Sequence, residues 1–182
     1  MLSLEESLKI LKETKAIIEG HFILSSGKRS KIYCQCSKLF EDPRNGEMVC
    51  EELKYRVQEN IDDEIDYVIS PALGGLLVGY ELARSLGSKF IFYERVDNEF
   101  ELRRGFNIKE NTNVLFVEDV ITTGKSTNEC LEKLKPLNIN LLGFLTPTSS
   151  EIVIVLKYFD KPDFSSFLFC TSLKPFVIMC IL

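Results

Sequence analysis

Apolar positions along the chain follow two rhythms, and the switches between them mark out the elements. Leu4, Leu8, Leu11 and Ile18 recur near one helical face, and Ser3 with Glu6 has the spacing of a capping box; together they predict a helix over 3–19 that Gly20 ends. The stretch from Phe22 to Gln35 reads as a hairpin around Ser26-Gly27-Lys28. Asp42-Pro43 starts a second helix, with the aspartate as N-cap, the proline in the first turn and Val49, Leu53 and Val57 as its apolar stripe. Strand and helix then alternate. Tyr67–Ser70 is a short apolar strand. The turn Leu73-Gly74-Gly75 leads into a helix that stops at Leu86-Gly87, and Lys89–Tyr93 is the next strand. Residues 94–106 are charged and irregular, Asn113–Val117 is again a strand, a helix spans about 125–135 before Pro136, and Ile139–Leu145 closes the series. Such alternation predicts an α/β fold with a parallel sheet that takes its ligand at the carboxyl ends of its strands.

At 182 residues the chain suits one domain. The reading divides it into an N-terminal hood over about 1–40, a core over about 41–145 and a divergent tail over 146–182. Net charge is −5, which excludes a general nucleic-acid binder but leaves room for an anionic small molecule held by a local group of donors. Residues 1–20 are charged throughout and show no signal peptide, so the expected location is cytoplasmic. Cys34, Cys36, Cys50, Cys130, Cys170 and Cys180 are accordingly expected as reduced thiols. Cys34 and Cys36 would share one face of a strand, a poor geometry for a mutual disulfide. His21, the single histidine, is expected to be structural or solvent-facing. The apolar tail is interrupted by Lys174 and Pro175, and its unbroken run is too short to span a membrane; no membrane partner is expected.

The segment richest in chemistry runs from Val114 to Thr127. Four apolar residues form a buried strand, and Glu118 and Asp119 follow where that strand ends. Val120 and Ile121 lead into Thr122-Thr123-Gly124-Lys125-Ser126, a small polar turn at the start of a helix in which Ser126 and Glu129 fit a capping box. A row of N–H groups and hydroxyls at a helix N-terminus holds a phosphate dianion, and Gly124 lets the backbone come close to it. The two carboxylates cannot take phosphate; they can accept hydrogen bonds from sugar hydroxyls or hold a hydrated Mg²⁺. Gly124-Lys125-Ser126 looks like the end of a Walker A loop, but the glycine that loop needs five residues earlier is Asp119 here, so the P-loop reading fails.

This segment resembles the motif for 5-phosphoribosyl-1-diphosphate (PRPP) of the type I phosphoribosyltransferases. Three further stretches resemble the orotate branch of that family: Glu19-Gly-His-Phe-Ile-Leu-Ser-Ser-Gly27 its hood, Ser70-Pro-Ala-Leu-Gly-Gly75 its diphosphate loop, and Glu94-Arg95 with Leu102-Arg-Arg-Gly-Phe106 the ends of its mobile catalytic loop. The resemblance covers about residues 1–145. It implies a type I phosphoribosyltransferase-like parallel sheet flanked by helices, with an N-terminal hood. The implied activity is transfer of the phosphoribosyl group from PRPP to orotate, giving orotidine 5′-phosphate and diphosphate in pyrimidine biosynthesis. The alternatives kept beside it are another nucleobase as acceptor or a degenerate PRPP-binding regulator.

The resemblance also implies roles. Glu118 and Asp119 would hold the ribose hydroxyls, and Asp119, Glu118, Arg103 and Arg104 would carry catalysis. Val120, Ile121 and Thr122 to Ser126 would line the PRPP site, with Thr122 also touching the base. Ala72, Leu73, Gly74 and Gly75 would contact the diphosphate through a cis peptide near Ala72-Leu73. Arg95, Arg103 and Arg104 would close over it, and the loop would reach a neighbouring subunit in a homodimer. Lys31 and Tyr33 would meet orotate, and Mg²⁺ would be held mainly by PRPP and water. The sequence departs from many relatives in three places. Gly74 stands where they carry a lysine, Arg103 and Arg104 replace a lysine-and-histidine loop, and Thr146-Pro-Thr-Ser-Ser-Glu151 follows the last strand where they show Asp-Arg.

Overall fold

The computed structural model describes residues 4–23, 27, 29–121 and 125–146. Ser3, Ser26, Lys28, Thr122, Thr123, Gly124 and the tail from residue 147, with the expectations placed on them, lie outside the described residues.

The first helix, α1, covers Leu4–Glu13 rather than running to residue 19. Lys15 takes a positive φ of 57° and turns the chain out of the helix. Ile17, Ile18 and Phe22 then favour a pleated strand, and β1 spans Ile17–Ile23, with His21 exposed on it. It pairs antiparallel with β2, Arg29–Cys34, as a two-stranded sheet separate from the main one. A 3-10 helix over Cys36–Glu41 joins this hood to α2, Pro43–Asn60. Asp42 caps α2 as expected, accepting from the Arg44 backbone N–H at 3.0 Å with Pro43 beside it; a cap of this kind stabilises by about 1 kcal/mol. Leu11, Ala16 and Leu39 form a small buried cluster that seats the hood against Val49 of α2.

The main sheet has five strands in the order β5-β4-β3-β6-β7. Strands β3 (Tyr67–Pro71), β4 (Lys89–Val96), β6 (Asn113–Val117) and β7 (Asn140–Leu145) run parallel. Strand β5 (Glu99–Leu102) is the antiparallel edge. Helices α3 (Gly75–Leu86) and α4 (Lys125–Leu134) are the crossovers. Side-chain alternation sorts two cores onto the two faces. Val68, Leu115 and Val117 pack with Leu53 and Val57 of α2 and Val78 and Leu82 of α3. Tyr67, Ile69 and Phe116 pack on the other face with Cys130, Leu131 and Leu134 of α4. Phe116 is fully buried and stacks on Phe144 at 5.6 Å between centroids; truncating it to alanine removes about 3–5 kcal/mol.

Residues 94–106 are not an irregular loop. Strands β4 and β5 form a hairpin in which Val96 faces Glu99 across Asp97 and Asn98, whose φ values are 48° and 69°. Positive φ at both central residues is the type I′ turn that matches strand twist. The alternation from Glu99 to Leu102, with Phe100 buried between exposed glutamates, carries that signal in the sequence. A second tight turn follows, closed by Phe106 N–H to the Arg103 carbonyl at 3.0 Å, with Arg104 and Gly105 at φ 60° and 75°.

Candidate active site

From β3 the chain crosses through α3 to β4 on one side, whereas β6 lies on the other side of β3. The carboxyl ends of β3 and β6 therefore flank the point where the order reverses, which is where open α/β sheets place their ligand crevice. The turn after β3 supplies one wall. Its Ala72-Leu73 peptide is cis, as the family resemblance implies, and the Ala72 N–H donates to the Tyr93 carbonyl at 2.7 Å. Gly75 opens α3 pressed against both strands, since a Cβ there would lie 2.7 Å from Ser70 Cβ and 3.2 Å from the Val117 carbonyl oxygen.

The residues after β6 supply the other wall. The Glu118 N–H donates to the Leu145 carbonyl at 3.0 Å, which ties the strand's end to β7. The Glu118 side chain is only 7% exposed and accepts a hydrogen bond from the Thr127 hydroxyl in the first turn of α4. Burial is the main cause that pushes its carboxyl up to about 7; the Thr127 bond works against this and the Asp119 charge with it. Asp119 is partly buried, and burial raises its pKa against the N–H groups of Val120 and Asp119. Its backbone carbonyl accepts from Thr146 Oγ1 at 3.0 Å and from Cys36 Sγ at 3.4 Å, so the end of β7 and the hood both hold it. Its carboxylate lies against Gly74, where an added Cβ would stand 2.4 Å from Oδ1. A side chain at position 74 has no room here while Asp119 keeps this position.

Val120 and Ile121 continue from Asp119, and Ile121 packs on the core face that α4 covers. Lys125 and Ser126 begin α4 as helical residues. The capping box expected of Ser126 and Glu129 does not form, because the helix already starts at Lys125 and Glu129 turns to Lys125 and Arg95.

The three arginines are placed apart. Arg95 projects on the α4 face of β4, donating to Glu129 at 2.6 Å and to the Asn98 carbonyl at 2.7 Å, with its guanidinium 4.1 Å from the Phe100 ring centroid. Arg104 is exposed and forms a two-pronged pair with Glu94, at 2.6 and 3.1 Å. Glu94 and Arg95 are consecutive strand residues and point to opposite faces. Arg103 is exposed and makes no ion pair among the described residues. Lys31 and Tyr33 share the exposed side of β2, and Tyr33 stacks near Phe22 and donates to Gln35 Oε1 at 2.7 Å. Thr127, Cys36 and Thr146 are the site residues that sequence reasoning missed. Each acts through a contact between distant segments, for which local patterning carries no signal.

No group of three or more histidine, cysteine or acidic side chains that could hold a metal exists among the described residues. Two adjacent carboxylates without a third ligand suit a cation that keeps most of its own water, as Mg²⁺ does. No helix among the described residues is long and apolar enough to cross a membrane.

An α/β sheet with paired acids ahead of a helix at its switch point is the arrangement that the resemblance to the phosphoribosyltransferases implies. The family model for the phosphoribosyl transferase domain matches residues 38–149, and the chain belongs to that family. A relative from Helicobacter pylori strain Shi470 named orotate phosphoribosyltransferase is 50% identical over 133 residues, 73% of this chain and 66% of its own length. A relative of the same name from Thermoanaerobacter sp. strain X514 is 45% identical over 172 residues, covering 87% of this chain and 89% of the relative. The chain thus spans a little under two thirds of the Helicobacter relatives and most of the Thermoanaerobacter one. Among solved structures, the orotate phosphoribosyltransferase of Aeropyrum pernix superposes with a TM-score of 0.60 at 26% identity, over 76% of this chain and 78% of that one. The Leishmania donovani UMP synthase superposes at 0.65 with 22% identity, over 78% of this chain and 30% of that one, a likeness of fold.

Proposed function

We propose that this chain transfers the 5-phosphoribosyl group of PRPP to orotate, releasing diphosphate and forming orotidine 5′-phosphate in pyrimidine biosynthesis. The observation that carries the proposal is the meeting of Asp119 with Gly74, which joins the acid pair after β6 to the turn after β3 in one crevice. The names of the 45–50% identical relatives support orotate as the acceptor.

In this reading the bond from ribose C1 to the diphosphate breaks as a bond from C1 to the base nitrogen forms. Positive charge develops on the ribose and negative charge on the leaving group. Asp119, exposed on one side and held by its backbone on the other, accepts from the ribose hydroxyls and stands beside the positive charge. Glu118 anchors the start of α4 through Thr127, and the sequence from Thr122 to Ser126 that leads into this helix is assigned the 5′-phosphate. The turn from Ala72 to Gly75 takes the diphosphate. Arg103 and Arg104, on the tight turn after β5, close over it and exclude water, and Arg95 orders the hairpin that carries them. Mg²⁺ would be held mainly by PRPP and water, with Asp119 and Glu118 as the available carboxylates, and would supply positive charge beside the leaving diphosphate. Lys31 and Tyr33 of the hood are the donors offered to the base. A cytoplasmic homodimer completes the reading, supported by Leu73, Leu77 and Tyr80, which stand exposed at and along α3 as an apolar surface for a second copy.

The test is PRPP consumption with Mg²⁺ against orotate, uracil, adenine and hypoxanthine separately. Turnover with orotate alone is expected. Turnover with another base would reassign the acceptor, and PRPP binding without turnover on any base would make the chain a binding protein.

A further inference from the structure

Two thiols stand next to the acid pair. The sequence places Cys34 and Cys36 on one face of an extended strand, but β2 ends at Cys34 and the chain turns at Gln35, with φ −131° and ψ 80°, into the 3-10 helix. The turn brings the two sulfurs to 3.7 Å. Cys34 is partly exposed, whereas Cys36 is 1% exposed and points its sulfur at the Asp119 carbonyl, 3.4 Å away. We infer that Cys34 and Cys36 are a redox modification site: a peroxide-class oxidant joins them in a disulfide, and the bond weakens PRPP binding by withdrawing a donor from Asp119. The second half rests on the assignment of Asp119 to the PRPP site.

The other described cysteines do not compete. Cys50 and Cys130 are fully buried, and burial pushes both thiols up, that of Cys50 to about 12. Cys34 moves the other way, chiefly because Cys36 hydrogen-bonds it, against burial and the Asp119 charge. The reachable thiol is therefore also shifted opposite to the buried Cys50 and Cys130. In the first step the Cys34 thiolate attacks a peroxide oxygen, the O–O bond breaks, and water or an alcohol leaves, giving a sulfenic acid on Cys34. In the second, Cys36 sulfur attacks the Cys34 sulfur, the S–O bond breaks, and the hydroxide leaves as water with the Cys36 proton. Two thiols are oxidised and one peroxide is reduced. Cys36 carries one proton, which serves either the Cys34 sulfur or the Asp119 carbonyl; the bridge removes it from both, and Thr146 Oγ1 remains as the described donor to that oxygen. Closing the sulfurs from 3.7 Å to bonding distance also draws the end of β2 toward the 3-10 helix.

The full chain, stripped of reductant, is treated with hydrogen peroxide, alkylated and digested with trypsin. Cleavage after Lys31 and Lys38 leaves both cysteines in the single peptide 32–38. The expected product is that peptide lighter by two hydrogens and unalkylated, with PRPP affinity measured by calorimetry about tenfold weaker and restored by dithiothreitol. Cys34→Ser and, as a second variant, Cys36→Ser should show neither the bridge nor the peroxide-induced loss. Separate alkylation of both cysteines, over-oxidation of Cys34 alone, or cross-linking between chains overturns the thiol pair. A bridged peptide with unchanged PRPP affinity overturns the coupling. Failure of untreated protein to bind PRPP removes the proposed function and the coupling with it, while the mass of peptide 32–38 still decides the disulfide.

Discussion

Asp119 closes against the bare α-carbon of Gly74, so that a methyl group there would meet carboxylate oxygens 2.4 and 2.7 Å away. The clash is with the end of a side chain that can rotate, so Gly74→Ala should cost little stability and much activity. The expected result is a melting temperature within a few degrees of the parent with turnover reduced about a hundredfold. Asp119→Asn keeps the shape and removes the charge, and should also lose most turnover with an intact fold. Thermal melts and steady-state rates on the same preparations check both; parental turnover in either variant would sink the role given to this contact.

The Arg104–Glu94 pair is exposed, and pairs of this kind stabilise by about 0.2–1 kcal/mol. Releasing Arg104 to a ligand is therefore cheap. Replacing Arg103 and Arg104 together by alanine should lower kcat far more than it raises KM for PRPP, while Glu94→Gln leaves the melting temperature nearly unchanged. An effect of the double variant confined to KM would make the arginines docking charges only.

Glu118 makes stability fall as pH rises. Its pKa is near 4.5 in the unfolded chain and about 7 when folded, so between these values the folded state binds more protons than the unfolded one. The contribution is fully present below about 4.5 and lost by about 7, a difference on the order of 3 kcal/mol. Glu118→Gln keeps an acceptor for Thr127 and removes the titration. Melting curves across this range should show the parent losing stability relative to the variant toward pH 7; parallel curves would place the ionisation elsewhere.

If the base is orotate, as proposed, its carboxylate needs a cation, and Lys31 on the exposed side of β2 is a described candidate. Lys31→Ala should raise KM for orotate about thirtyfold, matching the loss of about 2 kcal/mol from a charge-assisted bond, with KM for PRPP unchanged. Equal KM values for orotate would assign the carboxylate to a different group.

Where sequence periodicity and local chemistry agreed, the reading matched the fold. The apolar strands at 67, 89, 113 and 140 and the Asp42-Pro43 start are such places, because burial and capping act over a few residues. The helix that ends at Glu13 was overextended because Ile17 and Ile18 also fit a helical stripe, and only pairing with β2 decides between the two. The β4–β5 hairpin was hidden under its charges, although Asp97-Asn98 between alternating residues announces it. The acid pair was legible as chemistry. Its supports were not: Thr127, Thr146, Cys36 and Gly74 reach Asp119 or Glu118 across the tertiary fold, and no local pattern encodes such distances.

The crevice has a consequence for how the molecule responds to its ligand. Its two walls come from segments separated by a helix, a hairpin and a strand, and they meet only when β3 and β6 pair. An unfolded chain has no partial version of such a site, so the ligand has nothing to hold until the sheet is assembled. On the proposed function, PRPP would act as a folding cofactor in the thermodynamic sense: at a hundred times its dissociation constant it would add about 2.7 kcal/mol to the native state. A cell rich in PRPP would then hold more of this protein folded than a starved one, and its abundance would follow the supply of that substrate.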